Sequence, residues 1–146
     1  MARVIAERAL RRVGWHEAEA RSAGVAALPG SAASEGAVRA AAEHGLDLGD
    51  HRSSRLSEEL VEWADLILTM GAHHLEAVEE SGGRGKAAML SAFAEDRGDR
   101  EGWGVPDPFA GDNDAYRESF RVLEDLVEAV VERLDRDSRT IMGVDS

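Results

Sequence analysis

The run Asp65-Leu66-Ile67-Leu68-Thr69-Met70 constrains the fold of this chain more than any other segment. It is too short for a free-standing helix, nearly continuous in apolar character, and closed by Gly71. A run of that kind suits a strand buried on both faces, the habit of parallel sheets. Parallel neighbours cannot be joined by a tight turn; each pair needs a crossover, usually a helix. The flanks provide for this. Ser57, followed by Glu58 and Glu59, opens a helix in cap-then-acid order, and Gly71 opens another to about Glu80. The turn Gly82-Gly83-Arg84-Gly85 then leads into a second strand, Ala87 to Leu90.

The first half follows the same alternation. Val4, Ile5, Ala9 and Leu10 form an apolar stripe with arginines opposite, which predicts a helix from Ala2 to Val13 that stops at Gly14. Met1 sits almost on that stripe with no capping residue before it. Trp15 to Ser22 alternates well enough for a modest strand ending at Ser22-Ala23-Gly24, and residues 26–33 form a loop marked by Pro29 and Gly30. Ser34 caps a helix through Glu43, with Ala37, Val38, Ala41 and Ala42 inward and Gly45 as its stop. The stretch from Ala92 to Asp114 is irregular, rich in glycine, and carries Pro106 and Pro108. A loop that long in a compact domain is usually functional or disordered. The closing helix, Asp114 to about Leu134, repeats Tyr116, Phe120, Leu123, Val127, Val130 and Leu134 at spacings of three and four. A polar, frayed tail is expected over 135–146. Strands alternating with helices make one α/β domain over 1–134, with helices on both faces of a parallel sheet.

Composition excludes several functions. A net charge of -12 leaves no basic footprint for nucleic acid, and an aromatic fraction of 5% offers no base-stacking platform. No apolar run approaches the ~20 residues of a membrane span and no leader pattern opens the chain, so a cytoplasmic location is expected. There are no cysteines. Disulfides, zinc–thiolate sites and a thiol nucleophile are therefore excluded from these residues. His73 and His74 are adjacent and should point to different faces of their helix, so no metal site and no cofactor are expected.

Val105-Pro106-Asp107-Pro108-Phe109 is the sharpest candidate for chemistry. Two prolines stiffen a loop around one carboxylate, which suits a general acid that protonates a leaving group, with Phe109 as a pocket wall. The plainer reading is a Pro-Asp-Pro turn. Ser22 follows a predicted strand, where α/β sites cluster, yet a strand-terminating turn needs the same small residues. His51, in the polar loop Gly49-Asp50-His51-Arg52, could equally be a solvated histidine.

Taken in order, R-S-A-G-V at 21–25, A-E-H-G-L-D-L at 42–48, H-R-S-S-R-L at 51–56, E-L-V-E-W-A-D-L-I-L-T-M at 59–70 and V-P-D-P-F-A-G-D at 105–112 form one series. Their order and spacing resemble the low-molecular-weight protein-tyrosine phosphatase family, in its bacterial branch. The resemblance implies a three-layer, doubly wound, flavodoxin-like parallel sheet of order 2-1-3-4. It implies that Asp107 is the general acid, that Phe109 lines the substrate cleft, and that Ser22 and His51 support the phosphate loop by hydrogen bonds. The substrate would be a phosphorylated protein, on tyrosine or arginine, or a small phosphomonoester. Arsenate reduction on the same scaffold is an alternative.

The family opens with an apolar strand and a C-x5-R-[ST] loop, whose cysteine attacks phosphorus and whose amides cradle the phosphate. Met1 here resembles the methionine just after that loop. The central first strand and the nucleophile are thus missing, and the chain as written should be inactive by the cysteinyl-phosphate route. Dropping a central strand leaves unpaired backbone on both neighbours. The expectation is therefore a shortened form of a longer protein, ahead of a pseudophosphatase that serves as a binding or regulatory domain.

Overall fold

In the computed structural model, which describes residues 1–24, 30–108 and 111–143, six helices surround a short parallel sheet. The helices are α1 (Ala2–Arg12), α2 (Glu35–Glu43), α3 (Glu58–Trp63), α4 (Ala72–Val78), α5 (Leu90–Ala94) and α6 (Asn113–Gly143). Strands β1 (Ile67–Thr69) and β2 (Ala87–Met89) pair in parallel, with Ile67 opposite Ala87 and Thr69 opposite Met89. Between them run α4 and a wide turn, Glu79–Gly83, in which Gly82 takes a φ of 100°. That crossover is what parallel pairing demands.

Local sequence explains the helix ends. The Ser34 hydroxyl accepts the Ala37 amide at 3.3 Å, and Ser57 accepts Leu60 at 3.1 Å, each filling one orphan donor of a first turn. Met1, by contrast, begins α1 without a side-chain cap. Gly45, at φ 75°, turns the chain out of α2 in a conformation that other residues avoid.

The core lies between α6 and the helices α1 and α2. Phe120 has no exposed surface, Ile5 is 1% exposed, and the imidazole of His44 stacks on the Phe120 ring at 4.1 Å and 17°. The apolar stripe of α6 buries Tyr116, Phe120, Leu123, Val127 and Val130 as its periodicity predicts, and Leu126 and Val131 besides. On α2 the buried residues are Ala37, Ala40 and Ala41, while Ala42 is exposed, a rotation of the expected face by part of a turn. Gly36 explains it: the Tyr116 ring of α6 lies where a Cβ at Gly36 would be, so this face of α2 is pressed onto α6.

Three expectations differ from the structure. Residues 15–22 form no strand; Ala18 donates to the Trp15 carbonyl in a turn, and the Trp15 indole reaches Asp135 on α6 at 3.2 Å. Just beyond them Gly24 makes an isolated bridge, parallel to Arg55. Among the described residues the sheet therefore has two strands rather than three. While β2 is fully buried, Ile67 and Leu68 of β1 are half-buried, short of the fully buried strand expected. Finally, α5 takes the start of the irregular stretch, and α6 continues past Leu134 to Gly143. The helix gains an interhelical tie near that point, since Arg133 donates to the Phe93 carbonyl at 2.9 Å and covers the Phe93 ring at 4.1 Å. No described helix is long and apolar enough to cross a membrane.

Candidate functional site

Ser22 and His51, far apart in sequence, line one open cavity of about 500 Å³. Backbone bonds fold the segment around residues 51–56 onto the Ser22 region. Gly24 donates to the Ser54 carbonyl at 2.9 Å, Leu56 donates to the Gly24 carbonyl at 3.0 Å, and Ser53 exchanges bonds with residues 30 and 31. This lacing turns the polar series H-R-S-S-R-L into a wall. Arg52 and Arg55 reach the cavity from it, Arg3 from the first turn of α1, and Arg21 from the irregular segment before Ser22. Arg21 is held flat over the Trp63 ring at 4.1 Å.

The cavity is electropositive in a strongly acidic chain. Four arginines face two carboxylates, Asp50 and Glu59, on its wall, whereas the whole chain carries -12. The charge of Arg3 is shared with Glu7 at 2.8 Å. Arg52 places one guanidinium nitrogen on the carbonyls of Gly49 and His51, at 3.3 and 2.8 Å, and has no carboxylate partner among the described residues. His51 registers the same field. Arg3 Nε donates to its Nδ1 at 3.2 Å, so that nitrogen is a bare acceptor. Burial first, and then Arg3, the Met1 amino group and Arg52, hold the His51 pKa below its ordinary value, against a smaller opposing pull from Glu7. The Arg3 bond and the lowered pKa both favour the neutral imidazole at His51.

Asp107 occupies a separate place. It is exposed, on a loop pinned to the carboxyl end of β1, where Val105 donates to the Met70 carbonyl at 2.8 Å. From the other side the Ser119 hydroxyl of α6 donates to the Pro106 carbonyl at 3.2 Å. A titratable neighbour is His74, in the first turn of α4. Burial and His73 lower the His74 pKa, and the Asp107 carboxylate partly offsets them. His73 and His74 do not diverge as adjacent helical residues were expected to do; their rings stand 3.9 Å apart at 45°. Both rings lie over Gly71, in ordinary van der Waals range of where its Cβ would be. No group of three metal-ligating side chains occurs among the described residues.

The structure thus unites Ser22 with His51 and sets Asp107 beside His74, outside the lining of that cavity. Phe109 lies outside the described residues. Arg3, Arg52 and Arg55 were not singled out from sequence, and His74 was weighed there only as a metal ligand. The two arginines flanking Ser53-Ser54 were a usable signal, because paired cations are conspicuous in so acidic a chain. Nothing local distinguished Arg3 from the other arginines of α1.

Comparison with known proteins identifies the family. The family model for low molecular weight phosphotyrosine protein phosphatase matches residues 1–140. The protein-arginine-phosphatase of Bacillus subtilis is 38% identical over 122 residues, covering 82% of this chain and 77% of the relative. A probable low molecular weight protein-tyrosine-phosphatase, EpsP, of Ralstonia nicotianae is 34% identical over 113 residues, covering 77% and 74%. In three dimensions, the solution structure of a low molecular weight protein tyrosine phosphatase from Bacillus subtilis superposes with a TM-score of 0.83 at 34% identity, covering 94% of this chain and 89% of the other. A YwlE arginine phosphatase mutant with a phosphorylated active site serine gives a TM-score of 0.82 at 35% identity, covering 94% and 88%. A match that spans the helical layer, the Ser22–His51 wall and the Asp107 loop together is one of family, and the chain belongs to the low molecular weight phosphotyrosine protein phosphatases.

Proposed function

We propose that this chain is a domain of the protein-phosphatase type that acts on phosphorylated proteins, carrying phosphotyrosine or phosphoarginine, with Asp107 in the place of the general acid, and that without a cysteine it does not itself turn them over. The observation that carries the reading is the cationic cavity around Ser22 and His51, since a pocket with more arginines than acids in a chain of charge -12 is suited to an anion. In this reading Ser22 and His51 brace the anion cradle, Phe109 lines the cleft, and Asp107 protonates the leaving oxygen or nitrogen. Proton delivery of that kind typically contributes about 10²–10⁴ in rate. β1 and β2 are then the last two strands of a 2-1-3-4 sheet.

The 146 residues include no cysteine, so thiolate attack on phosphorus has no residue here to perform it. The purified chain should show no vanadate-sensitive hydrolysis of p-nitrophenyl phosphate or of phosphoarginine. Vanadate-sensitive turnover that disappears in Asp107→Asn would overturn this.

A second reading, a domain that binds phosphorylated partners without turnover, is favoured by Arg52 and Arg55, which form no ion pair among the described residues. Inorganic phosphate titrated into labelled protein should then shift the Ser22 and His51 resonances, and Arg52→Ala with Arg55→Ala should abolish the shift. Unchanged resonances would exclude both the cradle and the binding module.

A further inference from the structure

Ser91 is a buried hydroxyl that the proposed chemistry does not use. It is 1% exposed, at the start of α5, and spends both of its hydrogen-bonding capacities on one distant residue. The Trp103 amide donates to Ser91 Oγ at 2.7 Å, and Oγ donates to the Trp103 carbonyl at 2.7 Å. One side chain thereby fixes the peptide groups on either side of Trp103, and either group left unsatisfied in that buried position would be costly. The Trp103 indole N–H also bonds Glu95, at the end of α5, while the ring stays 42% exposed.

The packing around this clamp leaves no slack. A Cβ on Gly102 would collide with Ser91 Oγ, and would lie 2.8 Å from the Ala92 amide nitrogen and 3.0 Å from Met89 Cβ. Close contact of the loop backbone with β2 and α5 is thus built in at Gly102. Three residues beyond Trp103 the chain reaches Pro106, held by Ser119, and then Asp107. So short a tether transmits any displacement of Trp103 to the carboxylate. Without such anchors, a connection running from the end of α5 to Asn113 would have too much freedom to hold a carboxylate in one place.

We propose that Ser91 is a positioning residue for the acid loop: its hydroxyl locks Trp103 and so fixes where the Asp107 carboxylate stands relative to the first turn of α4. The inference rests on the reading of Asp107 as the general acid. Its test reads the position of the carboxylate instead of turnover, so a failed phosphatase reading would leave the test intact.

His74 is the reporter, since Asp107 and His73 are the groups that act on its charge. Its ring resonances are followed against pH in the wild-type chain, Asp107→Asn, Ser91→Ala and Gly102→Ala, together with hydrogen exchange of the Val105 amide and the melting temperature. Asp107→Asn should lower the His74 midpoint by removing a favourable charge. Ser91→Ala should move that midpoint in the same direction and speed Val105 exchange about tenfold, the scale of one lost buried hydrogen bond. Gly102→Ala, which pushes the loop off α5 while keeping the hydroxyl, should do likewise, and it decides the matter if Ser91→Ala fails to fold. A lowered melting temperature with wild-type His74 titration and wild-type Val105 protection would make Ser91 a packing residue and overturn the proposal. So would an Asp107→Asn chain whose His74 titrates unchanged.

Discussion

Around Phe120 and around Asp107 the same chain is organised by different forces. Phe120 is enclosed by apolar side chains from α1, α2 and α6, and its surroundings are held by burial, which is non-directional and summed over many small contacts. Asp107 is exposed, on a loop held by a few directional bonds to Met70 and Ser119, with Ser91 holding Trp103 upstream. The contrast teaches where each kind of damage should appear. Removing apolar volume near Phe120 should unfold the domain, whereas removing a bond near Asp107 should move the carboxylate in a domain that stays folded. The cavity beside Ser22 and His51 is a third case, because its wall is set by backbone lacing and its character by an excess of arginines over carboxylates.

The largest effect should come from Phe120→Ala, which empties a fully enclosed site and should cost about 3–5 kcal/mol in urea unfolding. A loss under about 1 kcal/mol would mean that the helical layer is not the stabilising core. Gly36→Ala tests the same layer by overfilling it against the Tyr116 ring, with an expected cost of about 1–3 kcal/mol. Ser34→Ala removes only a cap and should cost about 1 kcal/mol by the same denaturation.

Effects on the site side should be smaller. Because the folded chain holds His51 and His74 below the ordinary imidazole value of about 6.5, the unfolded chain binds more protons as pH falls through that value. Stability should therefore rise with pH across this window and be lost on acidification, and His51→Gln should flatten part of the slope in melts between about pH 7.5 and pH 5.5. A slope identical in the variant would mean that His51 titrates freely. Smallest of all, Asp107→Asn should change stability by less than about 1 kcal/mol, as expected for an exposed carboxylate. A larger loss would place Asp107 among the structural groups and weaken its assignment as an acid.

The helical layer was legible because its signals are local. The stripe of α6, the serine caps at Ser34 and Ser57 and the glycine stop at Gly45 each follow from the geometry of a few neighbouring residues. The misreading of residues 15–22 has the opposite cause. Alternation permits a strand, but a strand exists only where a partner pairs with it, and here the amide of Ala18 goes to a turn while Trp15 docks on α6. The misplaced face of α2 is similar, since Gly36 faces inward only because Tyr116 arrives from another helix.

By itself, then, the sequence determined the α/β alternation, the serine-capped helix starts, the family resemblance and the candidacy of Ser22, His51, Asp107 and Phe109, because periodicity, capping and motif order are written along the chain. Only the tertiary structure decided that Arg3 would meet His51, that Arg52 and Arg55 would share a cavity with Ser22, and that Ser91 would hold Trp103. Each of those contacts joins segments that no local rule relates, and hydrogen bonding and charge act over the few ångströms that folding alone creates.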